Sequence, residues 1–285
     1  MRSRIMPYIL LSPFLLLMFI FCIGIANGVL QSLGYIPALG LNHVTLKYYT
    51  EVLQNTAILQ SIGLSLWIAA VSSVLAVLLG TALCYLIVSA KQSGSWIASF
   101  IKLPILIPHL IVAVFVISIF SQTGLVARLF FYLGGLSSPD SFPALLFDKY
   151  GVGVILAYLW KETPFVCYFV MTIMANITDT LEQTAMGLGA SRLKSFFYIT
   201  LPLCKSTILN SFFIIFAFSF GAYELPFLLG ATLPKALPVM AFIEYAHPDL
   251  LHRPYAMVLN VIMIVVCLLV SILYYRGMEK NKRYE

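Results

Sequence analysis

Asn176-Ile-Thr-Asp-Thr-Leu-Glu-Gln-Thr-Ala-Met-Gly-Leu-Gly-Ala-Ser-Arg-Leu-Lys-Ser-Phe-Phe-Tyr-Ile-Thr-Leu-Pro202 joins two long apolar runs and reads as two short helices about a glycine turn. Asp179 can cap a helix start, and Glu182, three residues on, completes a capping-box-like pair. Leu181, Ala185 and Leu188 then share one face at helical spacing. Gly187 and Gly189 end that helix, because glycine takes the left-handed cap conformation at little steric cost. Ser191 can cap a second helix. Its Leu193, Phe196 and Phe197 form another apolar edge, until Pro202 begins the descent into the next apolar run. Apolar faces on a water-facing loop are costly unless they dock, either on the chain's own helices or on another protein.

On both sides of this loop the chain is strongly apolar. Of its 285 residues, 61% are hydrophobic and 10% charged, and the mean hydropathy is +0.97. An ordinary soluble domain carries about 25% charged residues, and a disordered one has low hydrophobicity; both classes are excluded. Charges punctuate six apolar stretches, at about 7–30, 57–88, 103–124, 151–175, 206–229 and 254–275, with the elbow loop at about 176–205. A hydrocarbon core about 30 Å thick needs about 20 residues of helix. The second stretch, 57–88, would extend about 48 Å as a helix, so it is expected to tilt or protrude. The expected fold is an all-α polytopic integral membrane protein, one membrane domain over 1–285 with six transmembrane helices. The first stretch begins too near the start, and runs too long, for a cleaved signal peptide, and no small-residue pattern closes it.

Charge asymmetry orients these spans. Eleven Lys and Arg, from Arg2 and Arg4 to Arg276, Lys280, Lys282 and Arg283, fall on the side of the termini, against five in the opposite loops. By the positive-inside bias, both termini and the elbow loop are cytoplasmic. The five cysteines (Cys22, Cys84, Cys167, Cys204, Cys267) have no metal or disulfide spacing. They read as small buried hydrophobes.

Charges at depth are the candidate pathway residues. Lys161 and Glu162 lie about ten residues, roughly 15 Å, into the fourth span. A charge there costs at least about 2.5–3.5 kcal/mol, so it faces a protein interior or a wet cavity. Adjacent helical residues diverge, so one of the two can line a pathway while the other bonds to a neighbouring span and braces Pro164. In Gly221-Ala-Tyr-Glu-Leu-Pro226, Pro226 frees a carbonyl and bends the helix. There the Glu224 carboxylate would complement a cationic solute, and Tyr223 could add cation–π attraction. Other features read as structural. His247 and His252 belong to a solvated outer loop, His109 to the inner boundary of span three, Phe212, Phe213 and Phe216 to packing or lipid-facing surface, and Arg128–Tyr132 to a short interfacial helix.

At the elbow the residues resemble the permease subunits of binding-protein-dependent ABC importers. That family carries Glu-Ala-Ala, three residues, Gly, nine residues, Ile, one residue, Leu-Pro; here Gln183-Thr184-Ala185 is followed by Gly189, Ile199, Leu201 and Pro202 at those spacings. Leu188-Gly189-Ala190-Ser191 is similar to the branch serving polyamines, phosphonates, iron and thiamine. Thr45-Leu-Lys-Tyr-Tyr49, Trp160-Lys-Glu-Thr-Pro-Phe165 and Phe220-Gly-Ala-Tyr-Glu-Leu-Pro-Phe227 extend the likeness over essentially the whole chain. One departure stands out: Gln183 occupies the family's glutamate position, with the acid displaced to Glu182 and Thr184 at the second position.

The resemblance implies a type I ABC importer permease fold with a cytoplasmic coupling helix. Glu182, Gln183, Ala185, Gly189, Ala190, Ser191, Ile199, Leu201 and Pro202 would then form the surface that meets an ATPase, the Gln183 departure altering or shifting one contact. It further implies a second permease subunit (a copy or a sister), two ATPase subunits, an extracytoplasmic substrate-binding protein, and a place in the bacterial cytoplasmic (inner) membrane, with no nucleic acid involved. The chain has no Gly-x-x-x-x-Gly-Lys-Ser/Thr cradle, so ATP and magnesium are expected on the partner ATPase, with no cofactor, metal or catalytic residue on this chain. The expected solute is small, with an amine-bearing one such as a polyamine favoured by Glu224. The alternative class is an ATP-independent secondary transporter or channel. It would show inverted repeats with matching broken helices, and the sequence shows no clear duplication. A membrane enzyme would need clustered reactive groups that Lys161 and Glu162 alone do not supply.

Overall fold

The computed structural model describes residues 6–90, 95–135, 138, 141–177 and 181–282, so the Asp179 half of the expected capping box lies outside the described residues. Within them the regular elements are helical, apart from an isolated bridge between Ile36 and Leu41. In chain order they are α1 (Met6–Ser32), α2 (Lys47–Gln54), α3 (Thr56–Ser89), α4 (Trp96–Phe100), α5 (Leu103–Leu106), α6 (His109–Phe120), α7 (Leu125–Tyr132) and α8 (Val152–Ile177). There follow α9 (Gln183–Gly187), α10 (Arg192–Ser195), α11 (Leu201–Gly221), α12 (Glu224–Leu229), α13 (Leu237–Tyr245) and α14 (Arg253–Lys282). Among the described residues, six helical segments are long and apolar enough to cross a membrane: Tyr8–Ser32, Thr56–Ser89, His109–Tyr132, Val152–Ala175, Arg192–Gly221 and Leu250–Arg276.

Two of these segments depart from the expected runs, and proline is the reason in both. The third begins at His109 rather than 103, because Pro108 forces Ile107 into an extended conformation (ψ 129°) and separates α5 from α6. The fifth begins at Arg192, ahead of the descent expected at Pro202. Phe196–Thr200 winds as a π turn directly into α11. Pro202 has no N–H to give, and widening the preceding turn absorbs the missing bond without ending the helix. At its far end this helix stops at Gly221, Ala222 is extended (ψ 133°), and α12 restarts at Glu224. Pro226 stands in the first turn of α12, where a missing N–H costs nothing.

The chain divides into two compact units. The larger comprises Gln60–Val239 with the residues from Cys267 onward, and α8 is its axis, packing against α5, α6, α11 and α12. A Cβ on Gly80 of α3 would stand 2.7 Å from Cβ of Val166 and 2.8 Å from the carbonyl oxygen of Thr163, so glycine is what lets α3 lie against α8. Cys84, Cys167 and Cys204, from three different helices, are buried together with Val170, Met174 and Phe196, the Cys84 sulfur 3.6 Å from that of Met174. For these three the hydrophobe reading describes the packing; Cys22 is exposed and Cys267 half-buried.

The smaller unit joins residues up to Leu59 with Met240–Val266. After α1 the chain turns at Gly34 (φ +79°), where a Cβ would lie 2.7 Å from the Tyr48 ring. Tyr48 meets Tyr255 edge-on at 5.0 Å, and the Tyr255 hydroxyl donates to Glu51. His247 lies exposed in the loop after α13, as expected, and its ring stacks on that of half-buried His252 at 3.6 Å, with His252 Nδ1 2.6 Å from Glu244 Oε2.

Candidate functional site

Two helix breaks and one buried polar pair build the candidate pathway site. The break at Ile107-Pro108 leaves a carbonyl without its helical donor, and the Lys161 ammonium donates to that oxygen at 2.6 Å. On the next residue of α8, Glu162 is buried at 4% exposure and accepts a hydrogen bond from the Ser219 hydroxyl of α11. Its second oxygen, also buried, has no hydrogen-bond partner among the described residues. The buried Tyr158 hydroxyl reaches the Ser219 carbonyl at 3.4 Å. Both charges of α8 thus bond to groups outside their own helix, Glu162 the more deeply buried of the two.

The first residue of α6 and the first of α12 meet where the two breaks come together. His109 Nδ1 stands 2.8 Å from Glu224 Oε2, and the imidazole stacks on Phe218 at 5.5 Å between centroids. These two side chains border an open cavity of about 280 Å³, lined also by Tyr158, Ala222 and Tyr223. The Glu224 side chain remains 55% exposed and that of His109 23%. His109 opens the third candidate span, at the boundary where the sequence puts it, and there its side chain has a specific partner. It is the partner of the acid that the sequence singles out, and Tyr223 lines the same cavity.

The elbow is a complete Schellman turn. Gly189 adopts φ +90°, its N–H bonds to the Met186 carbonyl at 3.0 Å, and the Ala190 N–H bonds to Ala185 at 3.0 Å. These are the two bonds that close a helix through a left-handed residue. Gly187 stays inside α9 and leaves the left-handed role to Gly189. Ser191 then caps α10, its hydroxyl accepting from the Lys194 N–H at 3.4 Å. Arg192 braces the turn from within, its Nε 3.5 Å from Glu182 Oε1 and its Nη1 donating to the Ser89 carbonyl at the end of α3 at 3.3 Å. A cation beside the last carbonyls of a helix also complements its dipole.

The elbow residues sort into two sets. Glu182, expected on the docking surface, is turned inward with its side chain 5% exposed, and the more exposed Arg192 guanidinium stands 3.5 Å from it. Leu201 is half-buried against the core, Ile199 is half-buried and Pro202 exposed. Phe196 leaves the expected apolar edge for the core, 4.2 Å from the Tyr85 ring. What remains outside is Leu188 at 86% exposure, with Leu193, Phe197, Gly189 and Ser191. Of Gln183 the structure describes only the backbone, as the first residue of α9.

Sequence reasoning missed the His109–Glu224 pair, whose members lie 115 residues apart. The signal available was that each adjoins a proline break, Pro108 before one and Pro226 after the other.

Comparison with known proteins adds ancestry to this geometry. The putrescine transport system permease protein of Escherichia coli (strain K12) is 27% identical over 198 residues, 69% of this chain and 65% of that protein's own length. The molybdate/tungstate transport system permease protein of Pyrococcus furiosus is 27% identical over 237 residues, covering 81% of this chain and 85% of the relative. Among solved structures, a chain of a bacterial alginate ABC transporter, crystallised in complex with an alginate pentasaccharide-bound periplasmic protein, matches with a TM-score of 0.76. At 19% identity over 94% of this chain and 92% of that one, the likeness is one of fold. Residues 74–284, which hold the cavity, the elbow and five of the six candidate spans in whole or part, match the family described as binding-protein-dependent transport system inner membrane component, and the chain belongs to that family.

Proposed function

We propose that this chain is the membrane-spanning subunit of an ATP-driven importer. With a second permease, a copy or a sister, it forms the pathway for a small solute delivered by an extracytoplasmic binding protein. Two separate ATPase subunits, which carry the ATP and magnesium, supply the power, and this chain performs no catalysis of its own. It lies in the bacterial cytoplasmic membrane with both termini and the elbow on the cytoplasmic side. The observation that carries this reading is the elbow: a turn fixed from within by Arg192, with Leu188, Leu193 and Phe197 left bare on its outside. Apolar side chains held outward by a rigid turn suit insertion into a groove of a partner.

For the solute, the exposed Glu224 carboxylate beside the Tyr223 ring favours an amine-bearing cation, in line with the putrescine relative. A carboxylate repels an oxyanion of the kind the molybdate/tungstate relative is named for. A cavity of about 280 Å³ suits a small molecule.

The test is Gly189→Val in the complete assembly of permeases, ATPases and binding protein. A β-branched residue in the left-handed region is strained by about 1–2 kcal/mol, enough to shift the elbow's equilibrium about tenfold. The assembly is expected to form, with uptake reduced about that much and ATP hydrolysis no longer stimulated by the loaded binding protein. Unchanged stimulation would remove the coupling role from the elbow.

A further inference from the structure

We propose that His109 sets the charge that the pathway cavity presents to its solute, acting as the residue that decides between cation and anion. The inference rests on the reading of this cavity as part of the translocation pathway. Its ground is geometric. The imidazole Nδ1 is 2.8 Å from Glu224 Oε2, the two side chains share the cavity wall, and both remain partly open to it. In its neutral form the ring donates one hydrogen bond, aims the carboxylate into the cavity and leaves its full negative charge to receive an ammonium group. In its protonated form the ring pairs with the carboxylate as a cation, and the wall carries no net charge toward the solute. Histidine is the side chain that ordinarily changes charge between about pH 5 and 8.

The other titratable groups nearby are committed elsewhere. On α8, Lys161 is held by the Ile107 carbonyl and Glu162 by Ser219, and neither lines the cavity. Lys161 is close enough to Glu224 for their charges to interact, which displaces the balance equally in both forms of the imidazole. The Tyr158 and Tyr223 phenols line the cavity, and Tyr158 is bonded to the Ser219 carbonyl. Phe218 supplies the stacked face from α11, and α7, which also packs on α6, contributes Arg128, whose Nε is bonded to the Thr123 carbonyl. His109 is thus the group whose protonation adds one positive charge at the wall. Each such charge weakens a bound cation and strengthens a bound anion, whatever the starting balance.

The experiment measures equilibrium binding of putrescine and of molybdate to the purified permease–ATPase assembly at about pH 5.5 and pH 7.5. The same measurement is made on His109→Asn, which keeps a donor near the Nδ1 position and cannot become a cation, and on Glu224→Gln. Putrescine is expected to bind about tenfold more weakly at the lower pH, as one unit charge at contact distance implies. That dependence should vanish in His109→Asn, while Glu224→Gln should weaken putrescine at both pH values. If molybdate binds instead, more tightly in acid, and His109→Asn removes the dependence, the role of His109 stands and the amine reading of the solute falls. Retention of the same pH dependence in His109→Asn, or binding of neither probe, overturns the proposal.

Discussion

Arg192 does the most with a single side chain. Its guanidinium ties the acid before α9 to the last carbonyl of α3, and so fixes where the glycine turn stands. Burial pushes the Glu182 carboxyl above its ordinary range, and the Arg192 charge pulls it back only in part. A carboxyl raised in this way favours the folded elbow when protonated. Its contribution is complete below the ordinary carboxylate range and is lost as pH rises through the raised value. At neutral pH the ionised Glu182 is therefore a net cost that Arg192 limits. Two unequal variants follow. Glu182→Gln should leave the elbow amides as well protected from hydrogen exchange at neutral pH as in the parent protein, or better, and lose that advantage in acid. Arg192→Ala strands a buried carboxylate and should weaken the elbow by about 1–3 kcal/mol, read as faster exchange in the same amides. The sequence identified the turn residues because Gly189, Ala190 and Ser191 act through local backbone geometry. It placed Glu182 outside because the tertiary packing that buries the acid, with its ion-pair partner ten positions away across the turn, leaves no local signal.

Whole helices were legible where a long apolar run carries its own signal, and least legible where proline acts. Pro108 and Pro226 each interrupt a run, but sequence alone does not say whether the chain kinks, restarts or shifts its hydrogen-bond ladder. Here α5 and α6 separate, α11 and α12 separate, and Pro202 is absorbed into a π turn. The His109–Glu224 pair exists because two such restarts coincide in space, which no local pattern encodes. Packing between helices gives a sharper prediction. Gly80→Val places a branched side chain against Val166 and the Thr163 carbonyl and should cost about 1–3 kcal/mol. At Gly63 of the same helix an added methyl would meet nothing within 4 Å, so Gly63→Ala should be neutral or slightly stabilising. Thermal unfolding of the two variants in detergent checks the contrast.

At the level of the molecule, the polar groups at depth and the exposed elbow are carried by one set of packed helices. α8 holds Lys161 and Glu162, α6 and α12 pack on it, and α11 runs from the elbow to the break before Glu224. In the proposed function, a displacement imposed at the elbow would travel along the continuous helical run from Arg192 to Gly221, whose far end borders the cavity. That continuity makes the proposed importer mechanical: a motor bound at the elbow can open and close the region around His109 and Glu224. Reconstitution of the complete assembly in vesicles tests this most directly, by comparing solute uptake with ATP, without ATP, and with the ATPase subunits left out. Uptake that requires both ATP and the ATPase subunits is the expected result. Equal uptake by this chain with no ATPase present, driven by a solute or ion gradient, would contradict it.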